Sequence, residues 1–425
     1  MDKYIYIDKT DIIIEPPIMK NKIKMLMADA TATGLPSPFV EKYIMSEILP
    51  YYSNTHSNAY CSNYMNTLMN DTRKYIKKLY KLDENKIILF SGNGATGAIN
   101  HLVNLIDYNK YKRVNIIISV YEHYSNYLPW MKIRKENKNV VVWFLPLNSD
   151  GQINLNLLEI FFKNHLEFDC LNIVSITACS NVTGIKTDLD KVKLIISNNN
   201  PYNNIKLFVD MACLAPYDGI NGNMFDCFFF SGHKFIGGNG TPGVLIVDKK
   251  IIQKKEPFFV GGGTVDIATN KIINYKENIE ERESAGTPNI IGIIKLKKVL
   301  ELNEKYIDII KNNEKIITKY IHQKLMVLHN RYRNLNVIFL NETVNNRLPI
   351  ICINIDNLHY NEIVRILSDN FGIQTRGGNS CAGLFGTYIK TIGWCRITFS
   401  WYMSFEEINY ILNAIQSILI HLEKK

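Results

Sequence analysis

The stretch Phe228-Phe229-Phe230-Ser231-Gly232-His233-Lys234-Phe235-Ile236-Gly237-Gly238 decides the fold, because it joins an apolar strand to a polar turn. A run that is apolar at every position is typical of a strand in a sheet that is covered on both faces. A lysine at the end of such a strand, beside a second potential cation, can become nucleophilic enough to form a Schiff base. Taken alone, the motif fits an exposed lysine at a strand end equally well.

Similar apolar runs flank this stretch on both sides. The sequence predicts strands at residues 87–90, 114–120, 140–145, 170–176, 207–209, 227–230 and 244–247. Helical patterns fit between several of them, at residues 97–106, 155–163 and 188–197. Buried strands separated by helices favour an α/β fold with a mostly parallel, seven-stranded sheet and helices on both faces.

The pattern changes after Pro288. A long helix is predicted at residues 289–329, followed by strands at 337–340, 348–355, around 373 and at 396–399, and by helices at 361–368 and 405–423. This order indicates a smaller C-terminal α+β domain. We therefore expect an N-terminal segment at residues 1–28, a large domain at 29–290 and a small domain at 291–425.

Composition excludes several classes of protein. The chain has 425 residues, is 46% hydrophobic and carries a net charge of +9, with lysine and arginine scattered along it. Scattered charge favours solvated helix faces over a nucleic-acid surface, so we expect no nucleic-acid partner. No run reaches the roughly 18 apolar residues that a membrane span needs, so we expect no membrane contact. The first residues, Met1-Asp2-Lys3-Tyr4, do not resemble a secretion signal, which favours a cytoplasmic location.

The eight cysteines include no CxxC pair, so the sequence predicts no zinc ribbon and no other metal site. Reduced thiols are the default expectation in a chain of this kind. Most of these cysteines lie in apolar runs, where a cysteine packs as a small hydrophobic residue. Cys381 differs, because it follows a glycine-rich stretch.

Further polar residues end other predicted strands. Asp210 could pair with a protonated ring nitrogen of a bound cofactor. The glycine-rich turn before Thr96 opens a helix, and free backbone N–H groups there could bind a phosphate. His123 could stack on a flat ring or move protons, and the Asn181 amide could donate to a ring oxygen. Each of these residues, taken alone, is more simply a turn residue, a cap or a surface side chain.

Taken together and in order, these motifs resemble the class V pyridoxal-phosphate enzymes of fold type I, the group of cysteine desulfurases and class V aminotransferases. The resemblance covers residues 28–415, nearly the whole chain. The matching segments are Asn93–Thr96, Glu122–Asn126 with Pro129-Trp130, Ser180–Gly184, Val209–Ala212, Ser231–Lys234 and Ala285–Asn289. Residues 29–34 and 52–57 resemble N-terminal active-site segments of the same group.

The resemblance implies pyridoxal 5'-phosphate as the cofactor. It implies that Lys234 holds the cofactor covalently, that Asp210 pairs with its ring nitrogen, that His123 stacks on its ring and that Asn181 lies near the ring hydroxyl. It also implies a phosphate site made of Ala95, Thr96, Ser231 and His233. Thr287 resembles the residue that reaches the phosphate in the neighbouring subunit, which implies a homodimer with shared active sites.

The reaction depends on Cys381. Residues 374–383 resemble the loop of the second group of cysteine desulfurases, whose cysteine takes sulfur from L-cysteine as a persulfide. Arg396, with Arg376 and His56, would then bind the amino-acid substrate, and a sulfur-acceptor protein would be a partner. The alternatives are a class V aminotransferase in which Cys381 merely packs, and a scaffold without catalysis, which would need none of the cofactor residues.

Three departures from the desulfurase pattern bear on this choice. Cys213 replaces the usual glutamine, Asn379-Ser380 replaces the pair common before the reactive cysteine, and Gly383 is atypical. Loss of the glutamine removes a donor to the ring hydroxyl, which could alter the choice of reaction.

Overall fold

The computed structural model describes residue 7 and residues 11–16, 22–340 and 346–424. The motif Met1-Asp2-Lys3-Tyr4 lies outside the described residues, and the predicted segment 1–28 is described only in part.

The strands follow the order in which the sequence predicts them, with a few short additions. They are β1 Ile13–Ile14, β2 Ile23–Lys24, β3 Leu26–Met27, β4 Lys86–Ser91, β5 Arg113–Ser119, β6 Val140–Leu145, β7 Cys170–Thr177, β8 Ile205–Asp210, β9 Cys227–Ser231, β10 Gly243–Asp248, β11 Val265–Ala268, β12 Ile273–Tyr275, β13 Leu335–Val337, β14 Ile350–Ile355, β15 Ile373–Gln374, β16 Arg376–Gly378 and β17 Trp394–Thr398.

The α-helices cover both faces of the main sheet and link it to the C-terminal part. They are α1 Pro38–Tyr43, α2 Tyr60–Leu79, α3 Gly94–Leu105, α4 Tyr124–Glu136, α5 Leu155–His165, α6 Leu189–Asn198, α7 Ile279–Arg282, α8 Ile290–Arg331, α9 Tyr360–Phe371, α10 Gly383–Tyr388 and α11 Phe405–Glu423. In the part of the chain that the structure describes, none of them is both long and apolar enough to cross a membrane.

The main sheet has seven strands in the order β4-β10-β9-β8-β7-β5-β6. The pairs β5–β6, β5–β7, β7–β8 and β8–β9 are parallel, whereas β10 is antiparallel to both of its neighbours. Only residues 232–242 join β9 to β10, and a parallel crossover needs a dozen or more residues, usually a helix. The predicted α/β fold with a mostly parallel seven-stranded sheet is confirmed.

Most of the strands that carry predicted site residues end at the same edge of this sheet. The carboxyl ends of the parallel strands β5, β7, β8 and β9 meet there, and so do the end of β4 and the start of β10, since β10 runs in the opposite direction. In open α/β sheets, ligands bind outside the carboxyl ends of the strands. The predicted site residues at the ends of β8 and β9 are thereby brought together.

A second, antiparallel sheet has the order β13-β14-β17-β16. The sequence places its first strand at 337–340, which is wrong, because β13 ends at Val337 and a turn follows. Phe339 has a φ of +49°, a left-handed conformation that no strand accommodates. The N-terminal strand β3 pairs with β15, so residues far apart in the sequence join at this end of the molecule.

Helix α8 connects the two sheets. Its first half, including Leu296 and Leu300, packs in the core of the main sheet, and its second half, including Ile321 and Leu325, packs in the core of the small sheet. At 1.5 Å per residue, its 42 residues span roughly 63 Å. Division into domains at residues 29–290 and 291–425 stays a prediction.

Candidate active site

A cavity of about 200 Å³ opens at the carboxyl edge of the main sheet. Eleven of the thirteen site residues predicted from the sequence line it: Ala95, Thr96, His123, Asn181, Asp210, Ser231, His233, Lys234, Arg376, Cys381 and Arg396. They come from the ends of several strands of the main sheet and from the C-terminal part of the chain. Thr287 and His56 are not among the lining residues.

Lys234 ends a short 3-10 turn directly after β9 and is half-buried. Asp210 is the last residue of β8, and its side chain is buried. Burial raises the pKa of the Asp210 carboxyl, while the Ala212 backbone N–H, 2.8 Å from Asp210 Oδ1, and the Lys234 ammonium oppose that rise. A cationic ring nitrogen beside Asp210 would favour its ionised form further.

His123 is the residue that caps α4. Its Nδ1 accepts a hydrogen bond from the Ser125 backbone N–H at 3.1 Å, so the neutral ring carries its proton on Nε2. Burial, and then the charges of Lys234 and Arg396, lower the pKa of His123 to about 4. The imidazole is therefore neutral near pH 7 and can donate its Nε2 proton or lie against a flat ring.

The predicted phosphate site lies between the start of α3 and the turn after β9. The Ala95 backbone N–H donates to Ser231 Oγ at 2.7 Å, and the exposed Thr96 hydroxyl lies 2.6 Å from Ser125 Oγ. Gly94 has a φ of +60°, and a Cβ there would lie 2.8 Å from Ser231 Oγ. The absence of a side chain at Gly94 leaves a space among hydroxyl and N–H donors, which fits a phosphate group.

His233 completes that side of the cavity. Its Nδ1 lies 3.2 Å from Thr33 Oγ1, and the Thr33 hydroxyl donates to the His233 carbonyl at 3.1 Å. Burial, and then the charge of Lys234, lower the pKa of His233. Thr33 thus holds the ring in place, at the side of the cavity where the phosphate donors lie.

The guanidinium groups of Arg376 and Arg396 also line the cavity. Arg396 is buried, and its Nη1 donates to the Asn181 carbonyl at 3.1 Å. Its Nη2 lies 2.7 Å from Asp29 Oδ1, and Nε of the exposed Arg376 lies 2.9 Å from Asp29 Oδ2. The Arg396 Nε is buried and has no partner in the described part of the chain. Donors of this planar kind suit a carboxylate.

Cys381 lies on the loop between β16 and α10, and its side chain is exposed. Ser380 and Cys381 have φ values of +51° and +56°, so two consecutive non-glycine residues adopt the left-handed conformation. The Asn181 amide donates to the Ser380 carbonyl at 2.8 Å, and the Tyr124 backbone N–H donates to the Cys381 carbonyl at 2.8 Å. These bonds hold the loop, with its thiol, at the mouth of the cavity.

Two further thiols form part of the wall. Cys179 and Cys213 both line the cavity, and their Sγ atoms lie 3.7 Å and 3.9 Å from the Ser180 carbonyl oxygen. A hydrogen bond from the Cys179 thiol lowers the pKa of Cys213, whereas burial raises the pKa of Cys179. The departure at Cys213 is thus a thiol that contacts a second thiol. Spacing in the sequence gave no indication of Cys179.

Glu122, which lies in one of the matching motifs, is a buried acid next to the cavity residue His123. Its buried carboxylate accepts hydrogen bonds from Ser119 Oγ, Asn126 Nδ2 and the Thr177 backbone N–H. It lies one residue before His123, and burial, with a smaller contribution from the charge of Asp210, raises the pKa of its carboxyl. Asp29 lies in the motif at residues 29–34, and nothing in the sequence ties it to arginines so far along the chain.

The two predicted residues outside the cavity are both exposed. The Asn54 amide donates to Thr287 Oγ1 at 3.1 Å, so Thr287 contacts the segment that carries His56. The role of Thr287 at the cavity of a neighbouring subunit stays a prediction.

The family model for class V aminotransferases matches residues 26–411. The chain belongs to the class V aminotransferase family. A relative in this family, "Probable cysteine desulfurase" of Borreliella burgdorferi, is 28% identical over 396 residues, which cover 90% of this chain and 89% of the relative. The "Cysteine desulfurase" of Wigglesworthia glossinidia brevipalpis is 29% identical over 416 residues and covers 95% of both chains.

Solved structures of similar proteins share the class V fold. The apo cysteine desulfurase from Thermococcus onnurineus NA1 has a TM-score of 0.81 at 23% identity, covering 93% of this chain and 95% of its own. The cysteine desulfurase CsdA of Escherichia coli, with an S-sulfonic acid, has a TM-score of 0.76 at 22% identity, covering 93% and 94%. The resemblance stated from the sequence motifs is therefore confirmed at the level of family and fold.

Proposed function

We propose that this protein is a pyridoxal-phosphate-dependent cysteine desulfurase that converts L-cysteine to L-alanine and leaves a persulfide on Cys381. The observation that carries the proposal is the exposed thiol of Cys381 at the same cavity as Lys234 and Arg396. Relatives that align over about nine-tenths of the chain or more are named cysteine desulfurases, which supports the same reaction.

The residues of the cavity fit the cofactor. Lys234 would hold it covalently and Asp210 would pair with its ring nitrogen. The turn at Gly94, with Ser231 and Thr96, would bind its phosphate. When bound, pyridoxal phosphate supplies an electron sink for the α-carbon of an attached amino acid.

The arginines and the thiol would then act on the substrate. Arg396 would bind the substrate α-carboxylate, and Cys381, as a thiolate, would attack the substrate sulfur. The Cys381–sulfur bond forms as the carbon–sulfur bond of the substrate breaks, and a proton replaces sulfur on the β-carbon. The sum is L-cysteine plus a thiol giving L-alanine plus a persulfide.

His123 is suited to move protons during this sequence. Its pKa of about 4 keeps the ring neutral, with a proton on Nε2 and with Nδ1 accepting from the Ser125 backbone. A neutral imidazole beside the cofactor ring can stack there without opposing the charge of Lys234.

Partners and location follow from this chemistry. The persulfide requires an acceptor thiol, which we propose is supplied by a sulfur-acceptor protein. Thr287 and His56 lie outside their own cavity, so we propose that they act across a homodimer, with Thr287 at the partner's phosphate and His56 near the partner's substrate. A reaction that depends on a free thiol suits the cytoplasm, where thiols stay reduced.

The test uses purified protein supplied with pyridoxal phosphate. An absorption band at roughly 420 nm should appear and should be abolished by Lys234→Ala. L-cysteine should yield alanine, and Cys381→Ala should reduce that yield by more than about 100-fold. Cys61→Ala, a thiol that does not line the cavity, is the matched control and should retain the yield. Alanine formation that survives Cys381→Ala would rule out the persulfide.

The second candidate is a class V aminotransferase. The observation that favours it is Cys213 in the cavity wall, where desulfurases usually carry glutamine. Amine transfer that depends on a keto acid, without release of sulfide, would support this alternative.

A further inference from the structure

The carboxylate of Asp29 lies between the two guanidinium groups of the cavity. Its Oδ1 is 2.7 Å from Arg396 Nη2, and its Oδ2 is 2.9 Å from Arg376 Nε. Both oxygens are used, so the three side chains form one charged cluster. Arg396 is buried, Asp29 is 15% exposed and Arg376 is 48% exposed, so the cluster runs from the cavity wall towards solvent.

The backbone around Asp29 is fixed by neighbours on both sides. The Ala28 N–H donates to the Gln374 carbonyl, and the Thr398 N–H donates to the Ala28 carbonyl. Residue 28 is thereby hydrogen-bonded to the segments that carry both arginines, since Gln374 precedes Arg376 and Thr398 follows Arg396. The fold therefore fixes the carboxylate against two arginines that line the cavity, although Asp29 itself is not a lining residue.

The cluster has a net charge of +1, because one carboxylate offsets one of two guanidinium groups. Charges in a partly buried site interact more strongly than charges in water, so a change of one unit there alters the affinity for anions. Arg396 keeps an unpartnered buried Nε–H among the described residues, so its bonds to Asn181 and Asp29 do not use all of its donors. A ligand with one carboxylate brings the net charge of the cluster to zero, whereas a dicarboxylate brings it to −1.

We propose that Asp29 makes this end of the cavity selective for ligands with a single carboxylate and excludes dicarboxylates. The inference rests on the proposed function, in which Arg396 binds the α-carboxylate of an amino acid. It goes beyond that function by assigning the choice between neutral and acidic amino acids to one carboxylate. Asp29 acts through Arg396 and Arg376 and is a positioning and specificity residue.

The test compares propionate with succinate as probes, because neither carries an amine and neither depends on chemistry at Lys234. Their dissociation constants are measured by calorimetry on protein supplied with pyridoxal phosphate. Asp29→Asn should raise the affinity for succinate relative to propionate by about tenfold, since the cluster then has a charge of +2. Glu41→Gln also removes one negative charge, from a pair with Lys295 outside the cavity, and should leave the ratio unchanged.

A second variant covers the case in which Asp29→Asn does not fold. Arg376→Gln alters an exposed side chain, brings the cluster to zero and should lower the affinity for succinate relative to propionate by about tenfold. If each variant, Asp29→Asn and Arg376→Gln, changes the affinities for succinate and propionate by the same factor, the carboxylate has only a structural role and the proposal is overturned. Absence of the absorption band would count against the proposed function, whereas the ratio of affinities decides this inference.

Discussion

Glu122 illustrates, at the scale of a single residue, how burial competes with hydrogen bonding. Three donors surround its carboxylate: Ser119 Oγ, Asn126 Nδ2 and the Thr177 backbone N–H. Each of them favours the ionised form, yet complete burial outweighs them and, with a smaller contribution from Asp210, raises the pKa of Glu122 to about 7. The group therefore changes its charge near neutral pH, one residue before His123, which lines the cavity.

A pH dependence of stability follows for Glu122. Its folded pKa lies above the ordinary value of 4.5, so its stabilising contribution is complete below about pH 4.5 and is lost as pH rises through about 7. We expect the free energy of unfolding of the wild type, relative to Glu122→Gln, to fall by up to about 3 kcal/mol between pH 4.5 and 8. Urea unfolding at several pH values measures this difference.

The control for that experiment is Glu84→Gln, whose side chain is 94% exposed. Its stability relative to the wild type should be nearly constant across the same range. An equally flat comparison for Glu122→Gln would mean that folding leaves the pKa of Glu122 unchanged.

Among the elements, β10 shows what the sequence could and could not predict. Seven apolar runs of strand length predicted the number of strands in the main sheet, because burial on both faces leaves a continuous apolar pattern. An apolar pattern does not show in which direction a strand runs. The short connection from β9 makes β10 antiparallel to the strands beside it. As a result Gly243, at the start of β10, lies against the first turn of α3.

Gly243→Ala should disturb the phosphate site. An alanine Cβ there would lie 2.0 Å from the Gly94 carbonyl oxygen, a backbone atom that moves only with the start of α3. We expect a loss of about 1–3 kcal/mol in stability and at least a tenfold weaker affinity for pyridoxal phosphate, measured by titration of the absorption band.

Gly92→Ala is the matched control. Gly92 lies on the turn that leads into α3, and a Cβ there would meet no atom within 4 Å. It should bind the cofactor as the wild type does. Unchanged cofactor affinity in Gly243→Ala would show that the start of α3 shifts without cost and that Gly94 does not shape the site.

At the scale of the whole molecule, the sequence predicted the members of the site better than their contacts. Motifs reveal residues at strand ends, so Asp210, His123 and Lys234 could be placed from local patterns alone. The partner of Arg396 could not, because Asp29 and Arg396 are 367 residues apart and meet only where β3 pairs with β15. The sequence singled out Cys213 but not its contact with Cys179, because the two thiols come together only across neighbouring strands.

The hydrogen bond from the Tyr124 N–H to the Cys381 carbonyl joins the thiol-bearing loop to the helix that begins beside His123. Cys381 is exposed, so another protein can approach a persulfide on it, and any movement of the loop out of the cavity towards that protein would break this bond. The exchange of the Tyr124 amide hydrogen with deuterium then measures how often the loop opens. We expect Asn379→Ala, which removes a bond from Asn379 Nδ2 to the Tyr124 hydroxyl, to speed that exchange several-fold, while amides in β7 keep their rates. The release of the sulfur would thus depend on how readily one peptide hydrogen becomes exposed to water.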